Sequence, residues 1–187
     1  MPLEDFIIAV YCCVEQMWPT SSIPSRLRQR GFPPKLSDAE VLTMEIVGEF
    51  LGFDSDQQIW KYFCSHWKSW FPALGSRSTL SRQAANLWYI KQLLHQKLVW
   101  ELGAYTDTIH MIDGFPVPIC QFARANRCKL FQAIADYGYC ASKKETYKGF
   151  HGHVMIDYSG TITGLIFTPA KTDERIALFD LIDDIHG

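Results

Sequence analysis

Apolar and polar positions along this chain follow two different periods, and the change between them divides it. Over the first hundred residues the spacing is helical. In LSDAEVLTMEIVGEFLG, Leu42, Ile46 and Phe50 recur every four residues, which lines side chains up on one face of an α-helix. Ser37 precedes the run and Glu40 follows three places on, the pattern of a capping box. Gly52 supplies the stop. DSDQQIWKYFCSHW opens on Asp54 or Ser55 and repeats the spacing with Ile59, Phe63 and Trp67. SRSTLSRQAANLWYIKQLLHQKLVWELG reads as one long helix capped by Ser78 or Thr79. Leu80, Ala84, Leu87, Leu94 and Leu98 point inward and Gly103 ends it. The opening MPLEDFIIAVYCCVEQMW reads as a buried helix, because Glu4 and Asp5 stand where a signal peptide carries Lys or Arg. Trp70-Phe71-Pro72 is a break, and PSRLRQRGFPPK (24–35) is a loop with three arginines.

After Gly103 the pattern turns strand-like. TDTIHMID is apolar and partly β-branched, which predicts a strand reaching Asp113. Pro116 and Pro118 cannot both sit in a central ladder, so regular pairing ends there or moves to an edge. Residues 120–148 read as irregular and basic. GFHGHVMIDYSGTITGLIFTPA predicts a hairpin, with strands at 150–158 and 161–168, a turn at Ser159-Gly160, and Pro169 as the stop. KTDERIALFDLIDDI is a last helix capped by Thr172 or Asp173, with Ile176, Leu178, Phe179 and Ile182 inward. The class is α+β: a helical domain over 1–103 and a sheet-bearing domain over 104–187.

Composition sets limits on this picture. The chain has 187 residues, 48% hydrophobic and 20% charged, enough for one domain or two small ones with a real core. No apolar run approaches the ~20 residues of a membrane span, so no membrane partner is expected. None of the six cysteines (Cys12, Cys13, Cys64, Cys120, Cys128 and Cys140) forms a C-x-x-C pair, which argues against a zinc site. Reduced thiols in a cytoplasmic protein are the expectation.

The net charge of −2 hides a segregation. Residues 36–56 hold six acids and no Lys or Arg, whereas 57–100 hold six bases and no acid. Residues 114–171 carry seven bases against three acids, and 172–187 five acids against one arginine. Two basic stretches suit a polyanion partner. The bland alternative is a pair of solvated faces balanced by acidic neighbours. Arg77 and Arg82 lie in the first turns of the long helix, where side chains can reach phosphate, and Lys91 follows on it. Arg124, Arg127, Lys129, Lys143, Lys144 and Lys148 surround the Asp113 strand in sequence and suit a duplex backbone. The six tryptophans, at helical spacing, read as core.

One carboxylate stands out. In HMIDGFPVPIC, Asp113 sits in an apolar run, and a carboxylate in dry surroundings needs a partner. A metal ion and a turn cap are the two candidates. His151 and His153, two apart, share a strand face. Packing, or contact with phosphate or a carboxylate, is favoured for them over metal. Asp157, two residues before the hairpin turn, reads as turn geometry.

Together, MIDGFPVPIC, CKLF, YGYCASKKETYKGFHGHVMID and LIFTPAKTDER resemble bacterial insertion-sequence transposases of the DDE type. The resemblance is most specific from 110 to 175. It implies an RNase H-like mixed sheet with a flanking helix, bearing three acids that bind two divalent ions, Mg²⁺ or Mn²⁺. Asp113 matches the first acid, the catalytic metal ligand, on a strand expected to be central. No position here matches the second or third. Asp180, Asp183 and Asp184 lie on the final helix, and His151 stands where Lys is more usual. The resemblance therefore implies a truncated, catalytically incomplete transposase that binds double-stranded DNA at insertion-sequence ends in a bacterial cytoplasm. An unpaired sheet edge would favour self-association. The alternatives are a non-catalytic DNA-binding remnant or regulator of the element and, more remotely, a metal-dependent nuclease.

Overall fold

A computed structural model describes residues 1–18 and 33–186. Most of the predicted 24–35 loop lies outside them. The chain divides into two compact units, Met1–Leu98 and Val99–Gly187. It is α+β, with helices throughout the first unit and four strands in the second. No helix among the described residues is long and apolar enough to cross a membrane. All six cysteines are free thiols.

In the first unit run α1 (Leu3–Met17), α2 (Asp38–Phe50), α3 (Asp56–His66), α4 (Arg77–Asn86) and most of α5 (Trp88–Glu101), whose last three residues belong to the second. The capping box of α2 forms as its sequence requires. Ser37 Oγ accepts the Glu40 N–H at 3.1 Å, and Glu40 Oε2 accepts the Ser37 N–H at 2.7 Å. Such a cap contributes about 1 kcal/mol by satisfying backbone donors at the helix start. Ser55 caps α3 by accepting the Gln58 N–H. Ile59 and Phe63 are buried as their spacing predicts, and Trp67 packs partly buried against the core.

The long helix is two helices. Its cap is Ser76, not Ser78 or Thr79, and the chain turns at Leu87, whose N–H donates to the Ala84 carbonyl. Gly103 ends α5 in the left-handed region, with φ at 70°. The buried face of α2 is also not the predicted one. Val41, Met44 and Val47 are fully buried beside Leu42, whereas Ile46 and Phe50 are exposed. Helix α2 has apolar residues on more than one side, so four-residue spacing alone does not choose the face. Helix α1 buries one side only, through Ile7, Val14 and Met17, and Ile8 and Tyr11 are exposed. The tryptophans divide: Trp18, Trp60 and Trp67 pack partly buried against the core, whereas Trp70 is exposed and Trp88 and Trp100 are 66% and 72% exposed. The indole N–H explains part of this, since it needs a partner; Trp60 finds the Gly75 carbonyl at 2.9 Å near the surface.

The second unit holds β1 (His110–Pro118), β2 (Asp136–Cys140), β3 (Glu145–Asp157), β4 (Ile162–Pro169) and α6 (Glu174–His186). Every pairing among these strands is antiparallel. Strand β3 is the spine: β1 runs along one side of it, and β2 and β4 lie end to end along the other, meeting near Gly149 and Phe150. The stretch predicted as irregular thus contains β2 and the start of β3, joined by a turn in which Lys144 adopts φ of 52°. The sequence DYGYC lacks apolar alternation, and its pairing comes from the neighbouring strand.

Asp157 closes the β3–β4 hairpin. Its Oδ1 accepts the Thr161 N–H at 2.7 Å and the Ser159 hydroxyl at 2.8 Å. Burial pushes this carboxyl up, but the Ser159 hydroxyl and the turn's backbone N–H groups outweigh it and hold the carboxyl below its ordinary value. Charged Asp157 is therefore a turn device, as its position suggested. Helix α6 buries Ala177 and Leu181 rather than Ile176, Phe179 and Ile182, which are exposed. The reason is Gly164 on β4: a Cβ there would meet Leu181 Cδ2 at 2.9 Å, so the missing side chain makes the seat for Leu181.

Candidate active site and DNA-contact surfaces

Register fixes which residues share a face with Asp113. Asp113 pairs with Val154, which pairs with Leu165. Phe115, Gly152 and Phe167 form the next row on the same face. Leu181 of α6 sits on Gly164, in the row of Ile112 and Met155. Helix α6 therefore covers the opposite face, since successive strand residues alternate. The Asp113 face is open and apolar: Met111, Phe115, Leu165 and Phe167 are each at least 40% exposed.

Strand β1 has one neighbour among the described residues, β3, so it lies at an edge rather than centrally. This is what its prolines require. The Ile119 N–H donates to the Lys148 carbonyl at 3.0 Å, so the odd positions bond inward and the even positions face out. Pro116 and Pro118, which have no N–H, fall on the outward side and break no ladder bond. At the third outward position, Gly114, the N–H donates to Asp113 Oδ1 at 2.8 Å. Asp113 itself is exposed. It is thus not in dry surroundings, and its carboxylate is oriented by the next residue along the strand.

Register also settles which side chains could assist Asp113. His151, His153 and Asp157 pair with Pro116, Gly114 and His110 and lie on the other face. The two imidazoles stack with centroids 4.6 Å apart, and His153 Nε2 meets Thr168 Oγ1 at 3.0 Å. No group of three or more His, Cys, Asp or Glu side chains among the described residues could hold a metal ion. Asp113 can supply one hard oxygen ligand of the kind Mg²⁺ or Mn²⁺ takes. These residues do not form a two-metal site by themselves.

Of the nine bases singled out in the sequence, Lys148 is turned into the fold and Lys91 is held in an ion pair. Lys148 is buried, donates from Nζ to the Ala125 carbonyl at 3.1 Å, and lies over the Tyr137 ring. Lys91 pairs with Glu45 at 2.7 Å. The other seven are exposed. Arg124 and Arg127 stand on a 3₁₀ turn (Phe122–Arg127), with Lys129 just beyond it. Lys143 and Lys144 form the β2–β3 turn.

Arg77 and Arg82 come together in the first unit. An open cleft of about 540 Å³ lies between the starts of α3 and α4, lined by Ser55, Asp56, Gln57, Ser78 and Ser81 with both arginines. Gln57 Oε1 accepts from Arg77 Nη1 at 2.9 Å, and the Ser78 carbonyl accepts from Arg82 Nε at 3.0 Å. Helix α4 buries Leu80, Gln83 and Ala84 and presents Arg77, Ser78 and Arg82 outward. Gln83 anchors it, donating to the Leu36 carbonyl and to Asp38 Oδ1 at 2.9 and 2.7 Å. Sequence reading missed Gln57, twenty residues from Arg77, because only packing of α3 on α4 joins them. The ten residues between α3 and α4 exceed the short turn of a helix-turn-helix.

Comparison with known proteins adds one finding. Residues 103–187 match the family model described as transposase DDE domain. No curated protein and no solved structure matches the chain. The matched segment, similar to a transposase DDE domain, carries Asp113 and the whole sheet.

Proposed function

We propose that this chain acts in DNA transposition as part of a metal-dependent DDE transposase, on duplex DNA at insertion-sequence ends in a bacterial cytoplasm. The family match over 103–187 carries this reading. The exposed Asp113, held on an open sheet face by its bond to Gly114, is consistent with it. Asp113 is the first catalytic carboxylate and a metal ligand. Bound Mg²⁺ or Mn²⁺ supplies Lewis-acid activation of a phosphoryl centre.

The chain's own residues do the rest of what it can do. Arg77 and Arg82 hold backbone phosphates at the α3–α4 cleft. Arg124, Arg127, Lys129, Lys143 and Lys144 hold phosphates beside the sheet. Phosphate contacts of this kind position a duplex without reading its sequence. The open row of Met111, Phe115, Leu165 and Phe167 supports self-association through the sheet, because monomers rarely expose large contiguous apolar patches.

Two-metal phosphoryl transfer needs several carboxylates around one phosphate, and among the described strand residues no other carboxylate shares the Asp113 face. That observation also favours a second reading, a DNA-binding regulator without catalysis. Purified chain incubated with labelled duplex and Mn²⁺ or Mg²⁺ should bind it and leave both strands intact. Metal-dependent nicking that disappears in Asp113→Ala would show a working site in these 187 residues, as the nuclease alternative requires.

A further inference from the structure

The first unit contains a cavity that DNA binding does not use. A half-open groove of about 510 Å³ runs between α1, α2 and α5. Its walls are mostly apolar: Val14 from α1, Leu42 and Ile46 from α2, and Leu94 and Leu98 from α5. Volume and lining both fall in the range of small-molecule sites, which are chiefly apolar with a few placed polar groups.

The polar groups are unevenly matched. Glu45 and Glu49 stand one turn apart on the α2 wall, and Lys91 faces them from α5. Lys91 Nζ bonds Glu45 Oε1 at 2.7 Å. The other oxygen, Oε2, is buried and has no hydrogen-bond partner among the described residues. A buried acceptor without a donor is costly. Burial accordingly pushes the Glu45 carboxyl up, and Lys91 only partly offsets this. Two carboxylates against one ammonium leave the groove with negative charge in surplus, and His95 is the other polar side chain on its α5 wall.

We propose that this groove binds a small amphiphile with a primary amine head and an apolar body. The ammonium donates to Glu45 and neutralises the excess carboxylate charge, with Glu49 close by. The apolar body lies along Leu42, Leu94 and Leu98 and removes that surface from water. A carboxylate head would be repelled by the same pair of acids, and an alcohol would supply the donor without the charge.

The test uses the intact chain and three probes of similar size: 4-phenylbutylamine, 4-phenylbutanol and 4-phenylbutyrate. Titrations are followed by protein NMR at the groove residues. The amine should saturate with a dissociation constant of about 1 mM, the range set by its few heavy atoms. The alcohol and the carboxylate should bind about tenfold more weakly or worse. Glu45→Gln should bring amine and alcohol to similar affinity, and Leu94→Trp, which fills the groove, should abolish binding of all three. The proposal is overturned by a carboxylate that binds as tightly as the amine. It is equally overturned by absence of saturable amine binding, or by amine binding that persists in Leu94→Trp.

Discussion

Gly149→Ala should destabilise the second unit by about 3 kcal/mol, the upper part of the range for forcing an added methyl group into packed structure. A Cβ at this position would lie 2.1 Å from the Val117 carbonyl oxygen and 3.0 Å from Pro118 Cα. Both are backbone atoms of β1, so no rotamer change relieves the clash. Gly149 pairs with Pro118 on one side and Asp136 on the other. The end of β1 would have to peel away, breaking the bond between the Ile119 N–H and the Lys148 carbonyl. Gly75→Ala is the control, because a Cβ there meets nothing within 4 Å. Chemical unfolding of the two variants beside the parent chain measures the difference. A loss below about 1 kcal/mol in Gly149→Ala would mean that β1 is not held against β3 as described.

The second large effect concerns DNA. The double variant Arg77→Ala/Arg82→Ala should bind duplex at least about tenfold more weakly at physiological salt, and the slope of log affinity against log salt should flatten by about two units. Each arginine that meets a phosphate releases about one counterion, so two contacts set the change. Both side chains are exposed, and α4 is anchored by Leu80, Gln83 and Ala84 on its other face. The melting curve should therefore stay where it was. An unchanged salt slope together with an unchanged melting curve would make α4 an ordinary solvated helix.

Local signals were the legible ones. Ser37 and Glu40 act within one helical turn, and their cap forms as read. Asp157 and the Ser159-Gly160 turn act within five residues, and the hairpin closes where expected. Long-range choices were not legible. Leu42, Ile46 and Phe50 share one spacing, yet only Leu42 is buried, because packing selected the stripe through Val41, Met44 and Val47. Strand β2 exists because β3 extends past Gly149 to meet it. The motif around Asp113 was readable in the sequence. Its setting was not, because a strand rich in Ile, Met and Phe reads as central until pairing places it at an edge with its apolar side exposed. Lys148 illustrates the same limit: sequence gives its charge, and only the fold shows its ammonium turned onto the Ala125 carbonyl.

We propose Asp113 as a metal-binding carboxylate of a DDE site. Paramagnetic broadening tests it most directly, because Mn²⁺ is a hard cation that a single exposed carboxylate binds weakly. In the intact chain titrated with Mn²⁺, the amide signals of Asp113, Gly114 and the paired Val154 should broaden early. That broadening should vanish in Asp113→Asn, which keeps the shape and removes the charge. Signals from Asp113 and Gly114 that stay sharp, or that broaden equally in the Asn variant, would show that Asp113 does not bind the metal.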